Sequence, residues 1–135
     1  PAVVPNLAPL DAMIKINGKC KDNHRGYPDG WAVEVNWRQI FGLISPYLME
    51  VPTDYTVKNT LSRALFSLTK NSGHSPDMND QIFQTIKIQL MALGLVDVSY
   101  LKTTKEGMGL FWRLTPSGQA LMVQLRTVKA PDASR

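Results

Sequence analysis

At 135 residues, 44% of them hydrophobic and 19% charged, the chain is long enough to bury its own core, and its composition excludes wholesale disorder. A lone cysteine, Cys20, excludes an internal disulfide framework and suits a reducing compartment, so a cytoplasmic location is expected. No run of 18 apolar residues and no signal-peptide pattern occurs, so neither a membrane partner nor secretion is expected. The chain starts at Pro1 without a methionine, which reads as a processed product or a piece of something longer.

The net charge of +4 is unevenly spread. Residues 1–36 hold four basic and four acidic side chains, residues 37–95 five and four, and residues 96–135 six and three. The positive excess therefore falls in the last third, where it would favour an anionic partner. The signal is modest, because many domains that never meet DNA carry as much.

Residues 1–10 contain three prolines and no periodicity, and read as an extended lead-in. Alternation over 12–17 and 31–35 predicts two short strands around a polar loop with Tyr-Pro and Asp-Gly turn signals. They pair with each other or lie beside a later hairpin. Together, residues 11–36 form an N-terminal two-stranded β extension.

Asn36 is a natural N-cap for a helix from Trp37, with Ile40, Phe41, Ile44 and Leu48 on one face and Pro46 ending its first part. Thr53 or Asp54 opens a second helix, from about Tyr55 to Lys70, with Val57, Leu61, Leu65 and Leu68 as its buried stripe and Gly73 as its C-cap. The segment 71–79 reads as a link. A third helix follows from Asp80 to Leu93, capped by Asp77 or Asn79. Its core stripe is Ile82, Ile86, Leu90 and Leu93, flanked by Phe83 and Met91. Gln81, Gln84, Thr85, Ile88 and, on the flank, Lys87 are left for the opposite side. Val96, Val98 and Tyr100 then alternate with Asp97, Ser99 and Leu101, K-E-G-M-G makes a hairpin tip, and 110–114 returns as the partner strand. Thr115 caps a closing helix with Pro116 at its first position. Residues 130–135 are a polar tail.

Two patterns carry a resemblance: A-L-G-L-V at 92–96, where a helix runs into a strand, and L-T-P-S-G at 114–118. With three helices, a two-stranded wing and a helix after it, residues 37–129 resemble the winged helix-turn-helix superfamily. They look like the C-terminal winged-helix module of a larger bacterial protein. The resemblance implies an α+β fold and a DNA-binding or regulatory role. The third helix would enter the major groove through Gln81, Gln84, Thr85 and Lys87, and the wing would place Lys102, Thr103, Thr104, Lys105 and Arg113 on the phosphate backbone. Double-stranded DNA is then the expected partner. The alternative is a protein-interaction or oligomerisation module, contacting a protein partner or itself through the closing helix or Ile88 and Met91.

The glutamines also suit a solvated helix face, and the K-T-T-K run an ordinary exposed strand edge. The third helix carries no arginine. Trp31, Trp37 and Trp112 fit core packing better than stacking platforms. Cys20, His24 and His74 do not supply a zinc ligand set, and no oxyanion-hole motif, phosphate-binding loop or paired carboxylates stand out. No cofactor, metal or enzymatic activity is expected.

Overall fold

The computed structural model describes residues 4–103 and 107–131. Within them, four α-helices and two small antiparallel sheets make an α+β fold. β1 (Met13–Lys21) and β2 (Pro28–Asn36) pair with each other, from Met13 opposite Asn36 to Lys21 opposite Pro28, and so run further than the alternation predicts. Asp22 closes their loop. Its Oδ1 accepts the backbone N–H groups of His24, Arg25 and Gly26 at 3.0, 2.7 and 3.2 Å. These bonds, the one from Arg25 foremost, hold its carboxyl below the usual carboxylate range.

The first sheet is three-stranded, which corrects the expected two-stranded extension. Residues 71–79 are more than a link, because they contain β3 (His74–Met78), which pairs with β1 at Gly18↔Met78 and Lys19↔Asp77 and gives the order β2-β1-β3. Gly18 makes this possible. A Cβ there would stand 2.4 Å from the Asp77 carbonyl oxygen and 2.7 Å from the Met78 Cα. On the far side, the Met78 N–H donates to Ser62 Oγ of the second helix at 3.1 Å.

α1 (Trp37–Ile44) begins in a capping box: Asn36 Oδ1 accepts the Gln39 N–H at 2.8 Å, and Gln39 Oε1 accepts the Asn36 N–H at 2.9 Å. A 3-10 turn over Ser45–Glu50 follows at Pro46. α2 (Asp54–Phe66) starts on Thr53, as expected, but ends four residues before Lys70. The Ser67 and Thr69 hydroxyls donate to the carbonyls of Ala64 and Phe66 at 2.6 and 2.7 Å, competing with the helix for those acceptors. Gly73 is therefore not its cap, and Leu68 is 50% exposed instead of buried. α3 (Asp80–Ala92) is capped by Asn79, whose Oδ1 accepts the Ile82 N–H at 3.1 Å. β4 (Val96–Thr103) and β5 (Gly107–Leu114) form the second sheet, and Thr115 caps α4 (Pro116–Arg126).

One core serves both sheets and the helices. Ile16, Cys20, Trp31 and Val35 of the first sheet belong to the same buried cluster as Phe41, Leu61, Leu65, Ile86, Leu90 and Trp112. All three tryptophans are buried, in agreement with core packing. The later part of the lead-in is docked as well: the Leu10 carbonyl accepts the Arg38 N–H at 2.9 Å, and the Ala8 carbonyl accepts Gln89 Nε2 of α3 at 3.2 Å.

Cys20 lies inside this core on β1 and not in a loop. Burial, followed by the charges of Asp29 and Asp22, raises its thiol pKa. Because the thiolate is the nucleophile, modification by an aromatic disulfide reagent is expected to run on the order of a hundredfold slower in the folded chain than in denaturant. Equal rates in the two states would contradict a sealed core here.

Candidate interaction surface on the third helix and hairpin

The surface is set by how α3 is rotated. Phe83, Ile86, Lys87 and Leu90 are its buried residues, while Ile82 and Leu93 are only partly buried. Ile86 and Leu90 of the expected stripe are buried, while Phe83 and Lys87 take the inward places expected of Ile82 and Leu93. Gln81, Thr85, Ile88 and Ala92, at i, i+4, i+7 and i+11, form the exposed stripe, with Met91 at its edge and Ile88 60% exposed. No charge sits on that stripe.

Lys87 is the main correction. Expected at the flank of a DNA-facing surface, it is 7% exposed and points into the protein. Its Nζ lies 2.9 Å from Asp54 Oδ1 and 3.1 Å from Oδ2, and donates to Gln84 Oε1 at 2.9 Å. The ammonium also stands 5.2 Å from the centre of the Phe83 ring. Asp54 Oδ1 accepts Trp112 Nε1 from β5 at 2.8 Å, and the Trp112 ring stacks on Phe83 at 5.8 Å. Asp54 therefore joins the first turn of α2 to the middle of α3 and the root of the hairpin. Gln84 belongs to this assembly too: its Nε2 donates to Asp80 Oδ1 at 3.3 Å, so of the two glutamines only Gln81 is left exposed.

The hairpin is pinned beside the start of α2. Phe111 bridges to Thr53, and the Trp112 N–H donates to the Pro52 carbonyl at 3.0 Å. Alternation along the strands then sorts the expected wing contacts. Lys102, opposite Met108, shares a face with Tyr100 and with the buried Trp112; Arg113, opposite Asp97, lies on the other face with Thr103. Lys102 and Arg113 are both exposed but point to opposite sides. Thr104 and Lys105 lie outside the described residues. Sequence reasoning missed the apolar character of the outer hairpin, where Tyr100 and Met108 are 66% and 62% exposed. The signal was the continuation of the apolar alternation past the point where the core ends.

Asp77 and Asp80 flank the start of α3, and Lys58 spans them at 3.5 and 3.4 Å. An anion approaching that helix end meets two carboxylates against one ammonium. Cys20 is buried while His24 is exposed at the loop tip, so the two do not form a pair. Among the described residues no three His, Cys, Asp or Glu side chains lie close enough to hold a metal ion, and no helix is long and apolar enough to cross a membrane. Comparison with protein-family models, with curated proteins and with solved structures finds no match.

Proposed function

We propose that the chain is a winged-helix module that works by protein contact, through the outer stripe of α3 and the outer β4–β5 hairpin. Three helices, a hairpin rooted beside the second of them and a closing helix support the winged-helix reading. The observation that carries the choice of partner is the inward turn of Lys87 onto Asp54. It leaves α3 with an uncharged outer stripe centred on an exposed isoleucine. Such a stripe offers little to a phosphate backbone, and it does not repel a second copy of itself.

The DNA reading keeps a narrower basis in the exposed Gln81 and Thr85 and in Lys102 and Arg113. With Lys87 withdrawn, Lys102, Lys105 and Arg113 remain of the expected phosphate contacts, so a plot of log affinity against log salt would have a slope no steeper than about −2.7. Titration with random duplex DNA at two salt concentrations is expected to show weak binding or none. Tight binding with a much steeper slope, weakened by Lys102→Ala and Arg113→Ala, would overturn the protein-contact reading. In sedimentation velocity the chain is expected to gain mass as concentration rises, and Ile88→Asp to abolish the gain. A chain that stays monomeric throughout removes the second copy as its partner.

A further inference from the structure

On another part of the surface, two arginines face one concavity. A cleft of about 320 Å³ is lined by Leu43 of α1, Tyr47 of the 3-10 turn, Thr60, Arg63 and Ala64 of α2, and Arg126 of α4. No acidic side chain lines it, and among the described residues neither arginine makes an ion pair. Two cationic side chains from separate helices on one cleft raise its positive potential and favour an anion there.

Each arginine occupies the last turn of its helix, where a cation ordinarily serves the free carbonyls. In α2 those carbonyls are already taken, and in α4 two of the last four are. In α2 the carbonyls of Arg63, Ala64, Leu65 and Phe66 accept from Ser67, Leu68 and Thr69. In α4 the Val123 carbonyl accepts from Thr127, and Lys129 Nζ donates to the carbonyls of Gln124 and Thr127 at 2.9 and 3.2 Å. Among the described residues neither guanidinium donates to a helix carbonyl. Tyr47, 51% exposed, and Leu43 add an aromatic and an apolar wall, and Thr60 adds a hydroxyl.

We infer that this cleft binds a small phosphate-bearing molecule, with the guanidinium groups of Arg63 and Arg126 taking the phosphate and Tyr47 with Leu43 taking its organic body. Guanidinium forks match phosphate oxygens in pairs, which a lysine ammonium cannot do. The volume lies at the small end of ligand cavities, suiting a mononucleotide better than a polymer.

The test uses the whole chain with three probes: adenosine monophosphate, adenosine and inorganic phosphate. Calorimetry is expected to show binding of the monophosphate, weaker binding of phosphate and none of adenosine. Amide NMR shifts should centre on Thr60, Arg63, Ala64 and Arg126. Arg63→Ala and Arg126→Ala should each weaken the monophosphate by at least about tenfold, and the matching lysine variants by a smaller but measurable factor. Both positions are exposed, so thermal melting should confirm that the variants stay folded. Three outcomes would each overturn the inference: no monophosphate binding at millimolar concentration, binding no tighter than that of phosphate alone, or binding indifferent to Arg126→Ala.

Discussion

Gly118→Ala is expected to destabilise the fold by about 2–4 kcal/mol, although in an ordinary helix the same exchange stabilises by roughly 1 kcal/mol. Gly118 is buried in the first turn of α4, and a Cβ there would stand 2.0 Å from the Leu95 carbonyl oxygen and 2.9 Å from its carbon. These are backbone atoms and cannot step aside as a side-chain end could. The same oxygen accepts the Thr115 N–H at 3.1 Å, and the Leu95 N–H donates to Leu90 at 3.1 Å, so any shift propagates into both neighbouring helices. Gly42→Ala is the internal control. Its added Cβ would meet only a Leu125 methyl at 3.9 Å, an ordinary contact, and a gain of up to about 1 kcal/mol is expected. Urea midpoints of the two variants should move in opposite directions. A Gly118→Ala midpoint at or above that of the parent would mean that α4 is not seated as described.

The second large effect is at Lys87. Its replacement by alanine leaves the Asp54 carboxylate without its cation and is expected to cost about 2–4 kcal/mol. The figure is set below the range for a fully buried pair because the Asp54 side chain is 25% exposed. Removing both charges together, as Asp54→Asn with Lys87→Met, should cost less than the two single changes summed, by roughly 1–3 kcal/mol. Strict additivity in denaturant unfolding would show that the pair is not coupled. The same variant separates two roles for this lysine. A DNA contact predicts weaker DNA binding at unchanged stability, whereas an internal tie predicts the reverse.

What could be read from the sequence was what is decided within a few residues. Asn36, Thr53, Asn79 and Thr115 each cap the helix expected after them, because a cap needs only its own side chain and an N–H three positions on. β3 was hidden for the opposite reason. His-Ser-Pro-Asp-Met has neither alternation nor strand propensity, and it is held extended by β1, more than fifty positions earlier. Lys87 was misplaced because its partner, Asp54, lies 33 positions away on another helix. Helical spacing gives the face of a lysine to within a residue or so, and one residue decided whether this one met water or a carboxylate. Ile88 and Met91 were legible as exposed apolar positions on α3, whereas the inward turn of Lys87 and the exposure of Met108 were not.

The hairpin root is tied at three successive positions before and into α2, by Pro52 and Thr53 through the backbone and by Asp54 through its side chain. Because Asp54 also holds Lys87, the base of the hairpin and α3 cannot rock independently without breaking charged hydrogen bonds. The two parts of the surface proposed for a partner are thus held in one relative placement by the fold itself. Association through the proposed surface would then spend little conformational entropy on ordering it, so exposed apolar residues such as Ile88, Tyr100 and Met108 could give measurable affinity.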